Sequence, residues 1–256
     1  MKKLFVFCAP LMMVFNAYAQ CQIEVFDSML FIEKPDMTQY GLTPIKLISS
    51  SELFPIGTDR SLVPTDETVI KALTGVHDLA VIDIEHWQDT GLYVTLLDKV
   101  HTLFPNLRVG YYSIVPRRDY WRAIQGEGHP QYVAWQAIND SLNPIAVQAD
   151  VTFPSLYTFY TDQGGWVLYA TANVSEAKRY NKTVYAFIWP YYHDSTELTG
   201  QIIPSKYWRL QLDTLKSLEV DGIVIWEGYK IPWDPQAGWW LETMDFMDEN
   251  CSAQSG

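Results

Sequence analysis

Short apolar runs alternate with longer amphipathic segments along the chain. Runs that are rich in β-branched or aromatic residues predict buried strands. Continuous apolar stretches, such as residues 79–82, are typical of parallel strands that are covered on both faces. Seven strands are predicted, over residues 23–26, 45–48, 79–84, 108–114, 151–156, 183–188 and 222–226.

Helical patterns lie between several of these strands. Residues 92–103 keep one apolar face, and the pattern stops before Pro105. A second helix is predicted to start at Pro204-Ser205, and Asn173 with Glu176 resembles the cap of a short helix. No glycine-rich phosphate loop follows any predicted strand, which disfavours a doubly wound nucleotide fold. The alternation predicts an α/β fold, a TIM-like (β/α) barrel.

The N-terminus is typical of an export signal. Lys2 and Lys3 precede an apolar run over residues 4–15, and Ala17-Tyr18-Ala19 matches a cleavage site. The run is too short to span a membrane. We therefore expect a signal peptide at 1–19, a single domain at 20–256 and a secreted or periplasmic location.

Two cysteines, Cys21 and Cys251, lie near the two ends of the predicted mature chain. Cysteines of exported proteins commonly pair. We expect a Cys21–Cys251 disulfide, with two free thiols, or a lipidated Cys21, as the alternatives. A bridge requires the chain ends to meet, as they do in barrels.

Charge and aromatic content narrow the function. The formal net charge is −12, which argues against nucleic-acid binding because that needs a basic face. The chain has 10 Trp, 16 Tyr and 11 Phe, more than a core alone needs. Such rings serve as flat platforms in sugar-binding clefts, although an aromatic-rich core is the simpler interpretation for many of them.

A pair of carboxylates marks the end of the third predicted strand. Strand alternation places Asp83 and Glu85 on the same face, at the end of the strand where barrels carry their chemistry. Two close carboxylates repel, so one of them tends to hold a proton near neutral pH. Glu85 therefore suits a general acid that protonates a glycosidic oxygen. A pair of salt-bridged structural residues is the alternative.

Several segments, in order along residues 78–228, resemble the animal and venom hyaluronidases. The segment 83–87, Asp-Ile-Glu-His-Trp, is similar to the D-W-E-E-W of that family of glycoside hydrolases. Residues 110–112 resemble its G-Y-Y, 153–157 its F-P-S-I-Y, and 222–226 its G-I-V-I-W, while 186–192 align with a strand leading into an aromatic turn. The resemblance implies a distorted seven-stranded barrel, which agrees with the strand count.

The resemblance also implies a substrate-assisted retaining mechanism without a metal or other cofactor. Glu85 would act as acid and then as base, and Asp83 would orient the acetamido group of the substrate. Tyr157 and Tyr192 would hydrogen-bond that group, and Trp226 would stack against it. The expected partner is an oligo- or polysaccharide that contains N-acetylhexosamine. Three further substrate-binding candidates stand at strand ends: Tyr112, Trp189 and Glu227.

The departures from the family pattern affect the expected substrate. His86 replaces an acidic residue, Trp189 stands where the family can carry arginine, and Glu227 stands where glycine is common. With the acidic net charge, the absence of that cation favours a neutral glycan over a polyanion. Arg117 and Arg118 are interpreted as a solvated basic pair, with restored local positive charge near the site as the alternative.

Two alternatives to this mechanism stay open. One is a double-displacement glycosidase in which Glu85 is the acid and Glu227 the nucleophile. The other is a noncatalytic glycan-binding barrel that kept the fold and lost turnover.

Overall fold

The computed structural model describes residues 20–252. The predicted signal peptide at 1–19 lies outside this range. The strands are β1 (Gln20–Cys21), β2 (Glu24–Met29), β3 (Thr43–Pro44), β4 (Lys46–Ser49), β5 (Leu79–Asp83), β6 (Arg108–Tyr111), β7 (Val151–Thr152), β8 (Thr183–Ile188), β9 (Gly222–Glu227) and β10 (Cys251–Ser252).

Parallel strands form a distorted barrel, with one strand in each of the seven predicted places, and the two-residue strand β3 directly precedes β4. Strands β3, β2, β9, β8 and β7 hydrogen-bond in that order, and β4, β5 and β6 form a second group. A parallel bridge between Tyr112 and Phe153 joins β6 to β7. On the other side, the Ile45 N–H donates to the Asp27 carbonyl at 3.1 Å and links the start of β4 to β2. The barrel is therefore less regular between β2 and β4 than elsewhere.

The helices pack around the strands. They are α1 (Ser50–Leu53), α2 (Asp66–Leu73), α3 (Thr90–Leu103), α4 (Tyr120–Ala123), α5 (Pro130–Ser141), α6 (Asn143–Gln148), α7 (Gln163–Arg179), α8 (Ser205–Ser217) and α9 (Gly238–Asn250), with a 3₁₀ turn at Met37–Tyr40. The predicted helices over 92–103 and from Ser205 are confirmed as α3 and α8. The predicted cap at Asn173 is wrong, because α7 starts earlier, after the N-cap Asp162, and buries Asn173 in its interior.

Aromatic rings fill the barrel interior. Phe26 and Tyr185 lie 4.7 Å apart between ring centroids, and Phe153 contacts Phe187 at 5.8 Å. Gly222 gives these rings room, because a Cβ at that position would lie 2.9 Å from both Phe26 and Tyr185. Much of the aromatic content therefore belongs to the core, as the simpler interpretation held.

The predicted disulfide is confirmed. Cys21 and Cys251 are bonded and face each other in the antiparallel pair of β1 and β10. The bridge joins residues that are 230 positions apart, so it closes the barrel domain end to end. Within residues 20–252, no helix is long and apolar enough to cross a membrane.

Candidate active site

The carboxylate pair lies where β5 ends. Strand β5 stops at Asp83, one residue before its predicted end, and Ile84 turns into the core. Asp83 is half-buried and Glu85 is exposed. Both side chains line one cavity of about 360 Å³, together with Ser50, Arg60 and His86. The pairing that the sequence predicts is therefore present, with Glu85 on the side open to solvent.

The environment of Asp83 opposes its ionisation. Burial, followed by the nearby charge of Glu85, raises the pKa of the Asp83 carboxyl to about 6. A carboxyl whose pKa is raised by burial and by a specific charged neighbour is typical of a functional site.

The loop that carries Arg60 holds His86 next to the carboxylate pair. The Arg60 carbonyl accepts hydrogen bonds from the Trp87 indole at 2.7 Å and from His86 Nε2 at 3.0 Å. The Arg60 guanidinium donates to Ser50 Oγ at 2.8 Å and lies 3.2 Å from His86 Nδ1. These contacts assign the proton of His86 to Nε2 and leave Nδ1 as an acceptor. Arg60 therefore brings a cation into the cavity of Asp83 and Glu85, which the sequence analysis did not anticipate.

Aromatic side chains form a wall beside Asp83. The rings of Tyr157 and Trp226 stack at 5.7 Å with an interplanar angle of 22°. Trp189 packs edge-on against Trp226 at 4.9 Å and contacts Tyr157 at 5.5 Å. Burial raises the pKa of the Tyr157 hydroxyl, and so do the neighbouring Tyr112 and Asp83. The structure thus brings three predicted residues, Tyr157, Trp189 and Trp226, together with Asp83.

Tyr112 links this wall to a second cation. Its hydroxyl lies 2.9 Å from Ser155 Oγ, and burial raises its pKa to about 12 although nearby Arg118 opposes the shift. Arg118 Nη1 lies 3.5 Å from Ser155 Oγ and 3.4 Å from His193 Nε2. Burial and the charge of Arg118 lower the pKa of His193. Arg118 is half-buried beside Ser155 and His193, so its interpretation as part of a solvated pair is not supported.

Two further predicted substrate contacts, Tyr192 and Glu227, are buried. Tyr192 is buried beside Tyr207 of α8. Burial, together with Tyr120 and Tyr192, raises the pKa of the Tyr207 hydroxyl. Glu227 has an exposed fraction of 0%, and alternation along β9 turns it away from the face of Trp226. Its Oε1 accepts from the Tyr229 N–H, its Oε2 has no partner, and burial raises the pKa of the carboxyl. His193, which the sequence did not single out as a site residue, contacts the Tyr157 ring at 6.0 Å and lies next to Arg118.

A larger cavity of about 1130 Å³ begins at Asp83 and Trp226. It follows the irregular side of the barrel between β2 and β4, down to Asp78 and Arg108 at the opposite end of the strands. Asp83 lines both this cavity and the smaller one that contains Glu85, so the two cavities meet at its side chain. Within the described part of the chain, no cluster of His, Cys, Asp and Glu side chains could hold a metal ion.

Comparison with solved structures supports the fold. No family model and no curated protein sequence matches the chain. Bee venom hyaluronidase superposes with a TM-score of 0.61 at 13% identity, over 88% of this chain and 96% of that one. The catalytic domain of a chitinase from Pyrococcus furiosus superposes with a TM-score of 0.59 at 12% identity, over 92% and 99%.

These similarities define a class of fold. The chain adopts the distorted (β/α) barrel that is found among TIM-barrel glycoside hydrolases. The same hyaluronidase has also been solved in complex with a hyaluronic acid tetramer, and that structure superposes equally well at 14% identity. At these identities the similarity establishes the architecture, and the chemistry has to be argued from the site.

Proposed function

We propose that this protein is a retaining glycoside hydrolase that cleaves N-acetylhexosamine-containing glycans by substrate-assisted catalysis. One observation carries the proposal: Asp83 and Glu85 share a cavity at the carboxyl end of β5, beside the stacked Tyr157 and Trp226. The ends of barrel strands are where such folds place their reacting groups. The similarity to hyaluronidase and chitinase structures agrees with this class of reaction.

Glu85 is the proposed acid. It is exposed to the cavity, so a glycosidic oxygen can reach it. In the first step the acetamido carbonyl oxygen of the substrate attacks the anomeric carbon while Glu85 gives its proton to the leaving oxygen. The bond to the leaving sugar breaks and a cyclic oxazolinium forms. Glu85, now ionised, then removes a proton from the water that opens this ring, which restores the acid and retains the anomeric configuration.

Asp83 is the proposed partner of the acetamido group. Its carboxylate accepts the acetamido N–H and stabilises the positive charge that develops on the ring. The raised pKa of about 6 shows that the ionised form of Asp83 is disfavoured in the free site. A hydrogen-bond donor and a positive charge from the substrate would therefore stabilise the carboxylate. Tyr157 and Trp226 supply the apolar surface on which the acetamido methyl group and the sugar ring rest.

The charge of the cleft differs from the charge of the whole chain. Arg60 lines the cavity of the carboxylate pair, and Arg118 lies near Tyr112 and Ser155, although the net charge is −12. The acidic composition alone therefore does not decide between a neutral and an anionic glycan. Substrate panels should contain both kinds.

The test combines two substitutions with such a panel. Purified protein is assayed on chito-oligosaccharides, hyaluronan and peptidoglycan, beside Glu85→Gln and Asp83→Asn. We expect hydrolysis of at least one glycan, and a loss of about 10²–10⁴-fold in kcat for Glu85→Gln. Glu67→Gln, an exposed carboxyl on α2, is the matched control and should leave the rate unchanged.

The outcomes separate the candidate functions. Unchanged hydrolysis in Glu85→Gln would overturn the proposed acid. Glycan binding that survives Glu85→Gln, in a parent protein without turnover on the whole panel, would establish the noncatalytic barrel instead. The burial of Glu227 and its orientation away from Trp226 give the double-displacement alternative no support.

We also propose that the protein is exported. The Cys21–Cys251 disulfide is typical of oxidising compartments, and the sequence of residues 1–19 has the pattern of a cleaved signal. N-terminal sequencing of the protein from its native source tests the proposal. A mature start at Gln20 is expected, and an intact Met1 would contradict it.

A further inference from the structure

One tryptophan is held on the surface beside the cleft. Trp121 in α4 is 57% exposed, whereas most other tryptophans of the described chain are buried. Its ring is fixed by Tyr120 and Tyr160, each at 5.2 Å. The N-cap Asp119, which accepts from the Arg122 N–H at 2.9 Å, anchors the short helix that carries it. A large ring that is rigidly presented to solvent is a common element of binding sites.

A series of rings connects Trp121 with the proposed catalytic centre. Each ring contacts the next; Tyr157 is buried, His193, Phe159 and Tyr160 are half-buried, and Trp121 is exposed. We call this series the aromatic track. Its contacts between ring centroids are Trp226–Tyr157 at 5.7 Å, Tyr157–His193 at 6.0 Å, His193–Phe159 at 4.7 Å, Phe159–Tyr160 at 6.2 Å and Tyr160–Trp121 at 5.2 Å.

Polar groups accompany the rings. The Arg118 guanidinium lies 5.6 Å from the centre of the Phe159 ring and next to His193. It forms no salt bridge with a carboxylate of the described residues, so its remaining N–H groups can donate to a ligand. Flat apolar faces combined with free donors suit sugar rings, which have apolar faces and hydroxyl edges.

We propose that the aromatic track is an extended glycan-binding surface and that Trp121 is an outer sugar subsite, several units from the bond that is cleaved. This inference rests on the proposed function and deepens it. It assigns the substrate as a chain of several sugar units. Trp121 does not line the cavity of Asp83 and Glu85, so it should contribute nothing to the binding of a disaccharide.

The test compares substrate length in matched variants. Chito-oligosaccharides of two to six units and the corresponding hyaluronan fragments are assayed with the parent, Trp121→Ala and Trp121→Phe. Tyr40→Ala removes another exposed ring, which packs on Trp240 outside the track, and serves as the control. Thermal unfolding of each variant shows whether it is folded.

In the parent, kcat/KM should rise with chain length. Trp121→Ala should lower kcat/KM for the longest substrate by about tenfold, through KM, and leave the shortest substrate unchanged. Trp121→Phe should recover part of the loss, and Tyr40→Ala should show none. Equal activity of the parent and Trp121→Ala at every length would overturn the track while leaving the proposed function intact. A parent that neither binds nor cleaves any of these glycans would overturn both.

Discussion

Replacing Asp83 by asparagine should stabilise the protein at neutral pH while damaging its activity. The side chain keeps its size and loses the charge that burial and Glu85 disfavour. The pKa of Asp83 is raised from 3.8 to about 6 in the folded protein, so the folded state binds more protons than the unfolded state between these values. Stability is therefore lost as pH rises from about 4 to 6, and the full penalty persists above pH 6.

The size of the effect follows from the pKa shift. Each pKa unit corresponds to about 1.4 kcal/mol, which gives up to about 3 kcal/mol above pH 6. Because Asp83 is only half-buried, solvent screening reduces this to about 2 kcal/mol. For a domain of this size the substitution should raise the unfolding temperature by roughly 4–8 °C at pH 8.

Denaturant unfolding of the parent and Asp83→Asn, at pH 4, 5, 6, 7 and 8, measures the effect. The difference in the free energy of unfolding should be near zero at pH 4, grow through pH 6 and stay level above it. Glu67→Gln on the exposed face of α2 controls for the loss of one negative charge. A difference that is constant with pH, or that falls as pH rises, would refute the reasoning about Asp83.

Three further predictions concern other parts of the molecule. Replacing both Cys21 and Cys251 by serine should cost about 2–5 kcal/mol, because the bridge closes most of the chain, and an unchanged unfolding temperature would contradict this. Glu227→Gln should keep its hydrolytic rate, because the carboxyl is buried away from the cleft; a loss of a thousandfold would restore it as a nucleophile. Arg118→Ala should raise KM for glycans more than it lowers kcat, since Arg118 reaches Ser155 and His193 rather than the proposed acid; a steady-state assay in which only kcat falls would argue against a binding role.

Much of the barrel could be predicted from local patterns. The seven strands and the helices α3 and α8 follow from apolar periodicity, which depends on neighbouring residues alone. Strand ends were less predictable. Residues 112–114 leave β6 because Ser113 adopts a positive φ of 60°, and Pro154 has no N–H with which to extend the β7 ladder.

The part of the candidate site that lies at the end of a single strand, β5, could be predicted from the sequence. Asp83 and Glu85 are neighbours in sequence, and the segments containing Tyr157 and Trp226 resemble a known family. The role of Tyr192 stays a prediction; in the turn after β8, Trp189 and His193 are the residues whose rings contact Tyr157.

Arg60 was not anticipated and Arg118 was interpreted as solvated, because loops position both of them. Each makes contacts with residues distant in sequence: Arg60 with His86, 26 positions away, and Arg118 with His193, 75 positions away. No local pattern encodes such a contact.

The dependence of hydrolysis on the acetamido group tests the central proposal most directly. Oligosaccharides of equal length and linkage, with an acetamido group or a hydroxyl at position 2 of the sugar, are offered to the same enzyme. The configuration of the first product is read by NMR. Substrate-assisted catalysis by Glu85 and Asp83 predicts cleavage of the acetamido sugar alone, with retention. Comparable cleavage of the hydroxyl sugar, or inversion of the product, would contradict the proposed mechanism.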